Sequence, residues 1–371
     1  MYKDGLTRRE KIDILNKKEF WKRFQKTFRE REGQRMTIKD IAESCGVSIS
    51  TVSRVLNDHP DVSPKVRQKV LDAARRAHYV PNNSARDLVK ARSEGIGLIV
   101  RGVGNPFFTQ IIHAIEQAID AAGYSLVLHQ IPTGEDEILA GAALARSKKL
   151  KGLIFLGGKG DYQESDIAVL DVPFVCCTYT VRFTPLPRES YSSVAIDDKM
   201  EGYRATRLLL DKGHRKIGVI MNSRHDRSIG ELRYMGYCEA LAEAGIDLDE
   251  SLLEEVGSFA LSTTYDAAFR LLKRRGDLTA IFVYSDSMAV AAIKALADNG
   301  RRVPEDCSVI AIDGIEMSAY TIPPLTTMAQ PQVELGTTAV RTLVDMIEGR
   351  ASNRHILLPA TIRMGGSVGT V

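Results

Sequence analysis

The sequence predicts an α/β protein in two parts, a small all-α domain followed by a larger body with parallel α/β sheets. Residues 36–80 contain three short amphipathic helical patterns. From Gly95 onward, short apolar runs alternate with helical patterns, which is typical of parallel sheets. The body has roughly 275 residues, too many for one compact sheet of this kind, so we expect two α/β lobes.

Charge is distributed unevenly along the chain. Residues 1–92 contain 22 Lys and Arg against 12 Asp and Glu, whereas the remainder contains 28 against 35. A basic front on an acidic body indicates a module that binds a polyanion. Charge alone fits a membrane surface as well as nucleic acid.

Several classes of protein are disfavoured. No apolar run approaches the roughly 20 residues that a bilayer requires, and the charged first 35 residues do not resemble a secretory leader. The five cysteines include no C-x-x-C pair, and Cys176 and Cys177 lie in an apolar run typical of a core. We expect a cytoplasmic protein with no membrane contact, no metal and no cofactor. The sequence shows no nucleophile elbow, phosphate loop or metal-binding histidine spacing, so we expect no enzyme activity.

The first module has the pattern of a helix-turn-helix. Thr37 can cap the first helix, with Asp40 at the third position of a capping box, and Gly46 ends it. Ser48 can cap a second helix whose inner face is Val52, Val55 and Leu56 and whose outer face is Ile49, Ser50, Ser53 and Arg54. Ser63 and Pro64 form a cap and a first helical position for the third helix. This arrangement lays the second helix in the major groove of DNA.

Two segments, Met36–Asn57 and Tyr79–Leu88, resemble the LacI/GalR family of bacterial transcriptional regulators, and the resemblance continues to about Gly365. It implies a helix-turn-helix domain joined to a periplasmic-binding-protein-like body that binds a small effector and forms a homodimer. Paired half-sites in palindromic operator DNA would match that dimer.

The resemblance also implies a domain layout. Residues 1–35 form a charged N-terminal extension, residues 36–80 the helix-turn-helix domain and residues 81–93 a hinge helix or linker. Residues 94–371 form the effector-binding and dimerisation domain. Its first lobe spans about 94–190 and 330–350, and its second lobe about 191–329 and 351–371.

By the same resemblance, Ile49, Ser50 and Arg54 occupy base-reading positions, and Arg54 is the strongest candidate for direct readout. Leu88 matches a leucine that inserts into the minor groove of operator DNA and kinks it. The full predicted DNA-binding set is Thr37, Ser48, Ile49, Ser50, Thr51, Ser53, Arg54, Asn57, Asn83, Ala85, Arg86 and Leu88.

The predicted effector site lies in the cleft between the lobes. Its residues are Asn105, Phe107, Phe108, Thr178, Tyr179, Arg233, Phe259, Ser285, Asp313 and Gln330. Sugar-binding relatives often have Asp-Arg where this chain has Thr178 and Tyr179, and an Asn in place of Ser285. A sugar or glycoside is favoured, while a nucleobase-like corepressor or a phosphocarrier protein remains an alternative.

Two alternative interpretations of the sequence are less favoured. A sugar-binding transport protein would leave residues 36–90 without a role. Asp197 and Asp198 could be paired carboxylates, but adjacent residues at a strand end point apart, so a cap for a helix over 199–210 is preferred.

Overall fold

The computed structural model describes residues 37–56, 59, 61–77, 94–102, 104–257 and 260–371. The chain divides into two compact units, Met1–Arg92 and Ser93–Val371, and each is described separately. None of the helices in these described ranges is long and apolar enough to cross a membrane.

The first unit contains three helices, α1 (Ile38–Cys45), α2 (Ile49–Leu56) and α3 (Pro64–Arg76). They share one small core, and its buried side chains are Ile41, Ala42, Cys45, Val52, Val55, Val70 and Ala74. Periodic apolar residues on each helix therefore meet at a single centre, as the helical patterns predict.

The ends of α1 confirm the predicted capping chemistry. Thr37 Oγ1 accepts a hydrogen bond from the Asp40 amide at 3.4 Å, and Asp40 Oδ2 accepts one from the Thr37 amide at 2.7 Å. Gly46 ends the helix with φ of 60°, a conformation that favours glycine. Ser63 is the N-cap residue of α3 and Pro64 its first residue, as predicted, although the Ser63 side chain makes no capping hydrogen bond.

The second unit contains two six-stranded sheets. The first has the order β11-β5-β4-β3-β1-β2, with every neighbouring pair parallel. Its strands are β1 (Gly95–Arg101), β2 (Ser125–Ile131), β3 (Gly152–Leu156), β4 (Phe174–Cys177), β5 (Ser192–Ala195) and β11 (His355–Leu357). The helices of this lobe are α4 (Phe107–Ala121), α5 (Glu137–Lys148), α6 (Glu164–Ile167) and α11 (Gln332–Ile347).

The second sheet has the order β7-β6-β8-β9-β10-β12 and is parallel except for the β10–β12 pair. Its strands are β6 (Ile217–Met221), β7 (Leu253–Glu255), β8 (Ala280–Val283), β9 (Ser308–Asp313), β10 (Thr326–Ala329) and β12 (Thr361–Arg363). Its helices are α7 (Asp198–Asp211), α8 (Ile229–Glu243), α9 (Leu261–Arg274) and α10 (Asp286–Asp298), and three short 3-10 turns lie at Arg188–Ser190, Glu250–Leu252 and Glu316–Tyr320.

The central strands are apolar because helices cover both faces of each sheet. Every residue of β3 and β4 is buried, and Cys176 and Cys177 are 0% exposed, which confirms that both are core residues. Burial raises the pKa of the Cys176 thiol to about 12, so the thiol stays protonated and unreactive.

Two lobe boundaries differ from the prediction. Strand β5 lies beyond the expected boundary at residue 190, and β11 lies beyond residue 351, yet both pair in the first sheet. Sequence patterns do not show which sheet a short strand joins, because pairing depends on distant partners. The chain therefore crosses between the lobes after β5, β10 and β11.

Candidate functional site

The outward face of α2 carries the predicted base-reading residues. Ile49 is 44% exposed, and Ser50 and Arg54 are also exposed, whereas Val52 and Val55 are buried beneath them. At the N-terminus, Ser48 Oγ lies 2.8 Å from both Ser50 Oγ and Thr51 Oγ1 and accepts from the Thr51 amide at 3.1 Å. The helix thus presents short hydroxyls, the apolar side chain of Ile49 and the guanidinium group of Arg54 on its exposed face.

Part of both predicted sets falls outside the described residues. These positions are Asn57, Asn83, Ala85, Arg86, Leu88 and Phe259.

The carboxyl edges of the two sheets face each other in the second unit. Gly160, after β3, donates its backbone amide to the carbonyl of Arg227, after β6, at 2.9 Å. Ile315, after β9, belongs to the same buried apolar cluster as Phe107, Phe108 and Leu335 of the first lobe. Ligands of open parallel sheets bind at such carboxyl edges.

Arg233 is the centre of the second-lobe half of this cleft. Its Nε donates to Asp198 Oδ1 at 2.9 Å, and both side chains are 3% exposed. One terminal nitrogen donates to the carbonyl of Tyr284, and the other lies 3.7 Å from Asp313 Oδ1. The predicted cleft residues Arg233 and Asp313 are therefore brought together.

Two glycines allow Arg233 and Asp198 to meet, because they let α7 and α8 pack backbone against backbone. A Cβ at Gly236 would lie 2.0 Å from the Lys199 carbonyl oxygen, and one at Gly202 would lie 2.3 Å from the Arg233 carbonyl oxygen. No other residue fits at either position.

Asp313 is held in an unusual backbone conformation at the end of β9. Its φ is 141°, rare for a residue other than glycine, and such strain concentrates at functional sites. Gln330 Nε2 donates to Asp313 Oδ1 at 2.9 Å, while Oδ2 is buried without a hydrogen-bond partner among the described residues. Burial raises the pKa of Asp313, and the nearby Arg233 opposes that rise.

The first-lobe half begins where β1 leads into α4. Asn105 Oδ1 accepts from the Phe107 amide at 3.1 Å, which leaves the side-chain amide nitrogen as a possible donor. Phe107 and Phe108 are 4% and 8% exposed, with ring centroids 5.8 Å apart. Both rings pack mainly in the core of the first lobe, so little of either faces a ligand.

Thr178 and Tyr179 follow β4. Thr178 has φ of 77°, a second strained position at the cleft edge. Tyr179 is 2% exposed, and its hydroxyl lies 3.1 Å from that of Tyr162. Tyr162 in turn donates to the buried Glu137, which also accepts from the Lys159 amide at 2.9 Å. Tyr179 therefore supports the β3–α6 loop in this conformation.

Ser285 and its neighbour have structural partners. Ser285 caps α10 by accepting from the Met288 amide at 3.3 Å. Asp286 is 0% exposed and accepts from Thr327 Oγ1 at 2.5 Å and from the Ile315 amide at 2.9 Å.

Sequence reasoning missed Asp198. Asp197 caps α7 as predicted, accepting from the Met200 amide at 3.3 Å, but Asp198 is the first helical residue and is buried against Arg233. The adjacent acids were visible in the sequence, but the glycine contacts that bury one of them depend on tertiary packing.

An open groove of about 620 Å³ also lies on the first lobe, at the amino ends of β4 and β5. Its lining includes Leu170, Phe174, Ser190 and Met346. Because these residues lie at the edge opposite the carboxyl ends of the strands, the groove is separate from the cleft.

Known families match both units. Residues 37–82 match the family described as bacterial regulatory proteins of the lacI family, and residues 206–368 match the periplasmic binding protein-like domain.

Individual proteins match across most of the chain. It is 38% identical over 328 residues to the transcriptional regulator MalR of Clostridium butyricum, covering 87% of this chain and 96% of MalR. A solved complex of the transcriptional regulator CelR with cellobiose is 30% identical, with a TM-score of 0.67, and the match covers 90% of this chain and 100% of that one. The lac repressor dimer bound to operator and an anti-inducer is 26% identical, with a TM-score of 0.67, covering 90% and 99%. The chain belongs to the LacI family of bacterial transcriptional regulators.

Proposed function

We propose that this regulator is a homodimeric repressor that binds a palindromic operator. Binding of a sugar or glycoside in the interlobe cleft lowers or raises its affinity for that operator. The observation that carries the effector assignment is the acceptor-rich cluster around Asp313, whose buried Oδ2 lacks a protein donor among the described residues. Sugar hydroxyls supply such donors.

The DNA-binding part of the proposal is supported by α2. Its buried face is apolar and its exposed face offers Ser50 and Arg54, so the helix can enter the major groove without losing its core. One such helix contacts few bases, and useful selectivity therefore requires two half-sites.

The effector part is supported by the position of the cluster. Arg233 and Asp313 lie at the carboxyl edge that faces the first lobe, and the β5, β10 and β11 crossings connect the lobes beside it. A ligand that contacts both lobes changes the angle between them, and a coupling of about 1–3 kcal/mol would alter operator affinity about 5- to 150-fold.

The cellobiose complex of CelR is consistent with this chemistry, since that relative binds a neutral disaccharide. A nucleobase stacked between aromatic rings is less favoured here, because Phe107, Phe108 and Tyr179 are each at least nine-tenths buried.

The two halves of the proposal are tested separately. Gel shifts of the full chain against a selected operator library, at a stated salt concentration, should yield a palindromic preference that residues 93–371 alone lack. A thermal-shift screen of sugars, glycosides and nucleobases should give a sugar as the stabilising ligand. A full chain without sequence preference rules out the DNA-binding role, and a hit that does not depend on Arg233 or Asp313 rules out this pocket.

A further inference from the structure

We propose that Asp198 makes the cleft reject anionic effectors, so that the natural effector is a neutral or cationic polyhydroxy compound. This inference rests on the proposed function and adds a specificity-determining residue to it.

The hydrogen bonds of Arg233 leave it little capacity to bind an anion. An arginine in a ligand cleft is usually suited to a carboxylate or phosphate, which it binds through two parallel hydrogen bonds. Here Nε is bonded to Asp198, one terminal nitrogen is bonded to the Tyr284 carbonyl, and the other faces Asp313 Oδ1 at 3.7 Å. No side of the guanidinium is left for two-point binding of an anion.

The charged groups around Arg233 also disfavour an anion. Asp198, Asp313 and Arg233 are each at most 3% exposed, so two carboxylates face one guanidinium in a site screened from water. Asp286 is paired with Arg363, whose Nη2 lies 3.9 Å from its carboxylate. Asp198 already neutralises Arg233, so the cluster offers an incoming anion no unbalanced positive charge, whatever the protonation state of Asp313. An anion would therefore lose its hydration in a region of low dielectric without gaining an ion pair.

The unpaired oxygen of Asp313 favours a ligand that donates a hydrogen bond. Asp313 Oδ2 is buried, and no described residue donates to it. A buried carboxylate oxygen without a donor is costly, and a ligand hydroxyl or ammonium group removes that cost. A ligand carboxylate or phosphate oxygen has no proton to offer and adds to the negative charge.

The neighbouring Asp197 provides a matched control. It is 35% exposed, caps the same helix and lies 3.7 Å from Arg182, so its charge is already balanced outside the cluster. Asp197→Asn and Asp198→Asn each remove one negative charge, at adjacent positions. In Asp197→Asn, the asparagine side chain can still cap α7. Only the second change alters the charge beside Arg233.

The test measures binding of two matched probe pairs to the full chain by calorimetry at about pH 8, above ordinary carboxyl pKa values. The pairs are glucose with glucuronate and cellobiose with its uronate, in which one C6 hydroxymethyl group is oxidised to a carboxylate and the sugar rings are unchanged. We expect the wild type and Asp197→Asn to bind the neutral member of a pair at least ~10-fold more tightly than the anion, and Asp198→Asn to reduce that preference to ~3-fold or less.

Each outcome has a defined meaning. Equal binding of both members by the wild type, or an unchanged preference in Asp198→Asn, overturns the role of Asp198 while leaving a sugar-responsive regulator intact. If none of the four probes nor any sugar in the thermal-shift screen binds, the proposed sugar response fails together with this inference. Asp198→Ser removes the same charge with a smaller side chain, and it decides the question if the Asn variant does not fold.

Discussion

The amide of Gly160 donates to the carbonyl of Arg227 across the cleft at 2.9 Å, linking the β3–α6 loop of one lobe to the β6–α8 loop of the other. A Cβ at residue 160 would lie 2.7 Å from that carbonyl oxygen and 2.9 Å from the ring of Phe183. The backbone contact therefore exists only because residue 160 has no side chain.

Gly160→Ala should weaken this closed arrangement of the lobes. We expect effector affinity to fall about 5-fold, the equivalent of about 1 kcal/mol for one hydrogen bond. Hydrogen exchange in a peptide covering residues 157–163 should become faster, because the amide of residue 160 loses its acceptor.

Gly134→Ala is the matched control, since a Cβ at Gly134 meets nothing within 4 Å. Its exchange and effector affinity should match those of the wild type. Unchanged exchange in Gly160→Ala would show that this contact does not hold the lobes together.

Arg54→Ala tests direct base reading by α2. If Arg54 bonds a base edge, the variant should lose about 1–3 kcal/mol of operator affinity and relax selectivity at one position of each half-site. Arg75→Ala, on the exposed side of α3, removes the same charge and should weaken binding to all sequences equally. Binding titrations on operator and on scrambled DNA at one salt concentration separate these outcomes. A uniform loss for Arg54→Ala would assign it to phosphate contact instead.

Leu88→Ala tests whether Leu88 inserts into the minor groove of operator DNA. This role is predicted from the resemblance of Tyr79–Leu88 to the hinge segment of the family. Operator affinity and operator bending should both decrease, because an apolar wedge offsets the cost of unstacking a base step with wider contact. Effector binding should be unaffected. Circular-permutation gel shifts measure the bend, and an unaltered bend angle excludes the wedge.

Features that depend on residues close together in the chain could be predicted from the sequence. The capping box of Thr37 and Asp40, the turn at Gly46 and the strand–helix rhythm of the body depend on near neighbours, and the structure contains all of them. Arg233 and Asp313 were paired through family resemblance alone, because 80 residues separate them and no periodicity connects them.

The burial of Asp198 and of Tyr179 could not be predicted in the same way. Asp198 is buried because Gly202 and Gly236 bring two helices into backbone contact, and Tyr179 because Tyr162 and Glu137 form its surroundings. Both depend on packing between segments distant in sequence.

Asp313→Asn should separate stability from effector binding. The substitution removes a buried charge from a group whose pKa is raised by burial, and it keeps the size and shape of the side chain. We expect the melting temperature without ligand to rise by roughly 2–4 °C, the equivalent of about 1 kcal/mol. Sugar affinity should fall at least ~10-fold, because the acceptor for a ligand hydroxyl is replaced by an amide. A variant that melts lower and still binds sugar normally would contradict the assigned role of Asp313.

The buried carboxyl of Asp198 should make the stability of the folded protein depend on pH. Burial raises its pKa to about 6, while the charge of Arg233 opposes that rise. A carboxyl whose pKa is higher in the folded state favours folding below its unfolded pKa of about 4, and this contribution disappears as pH rises through about 6. Asp197 and Arg182 also lie near the Asp198 carboxyl, and both are unchanged in the variant Asp198→Asn.

Because other carboxylates titrate in the same range, the informative quantity is the difference between the wild type and Asp198→Asn. The free energy of unfolding of the wild type should fall relative to that of the variant between about pH 4.5 and pH 7, by about 2 kcal/mol at most, and the melting temperature should fall with it. Asp197→Asn, in which a half-buried helix cap is neutralised, should not show this trend. The variant also loses the ion pair with Arg233, which shifts its stability by a constant amount at every pH. The test is therefore how the difference in stability between wild type and variant changes with pH. A flat difference across this range would mean that Asp198 is ionised throughout, with Arg233 fully compensating its burial.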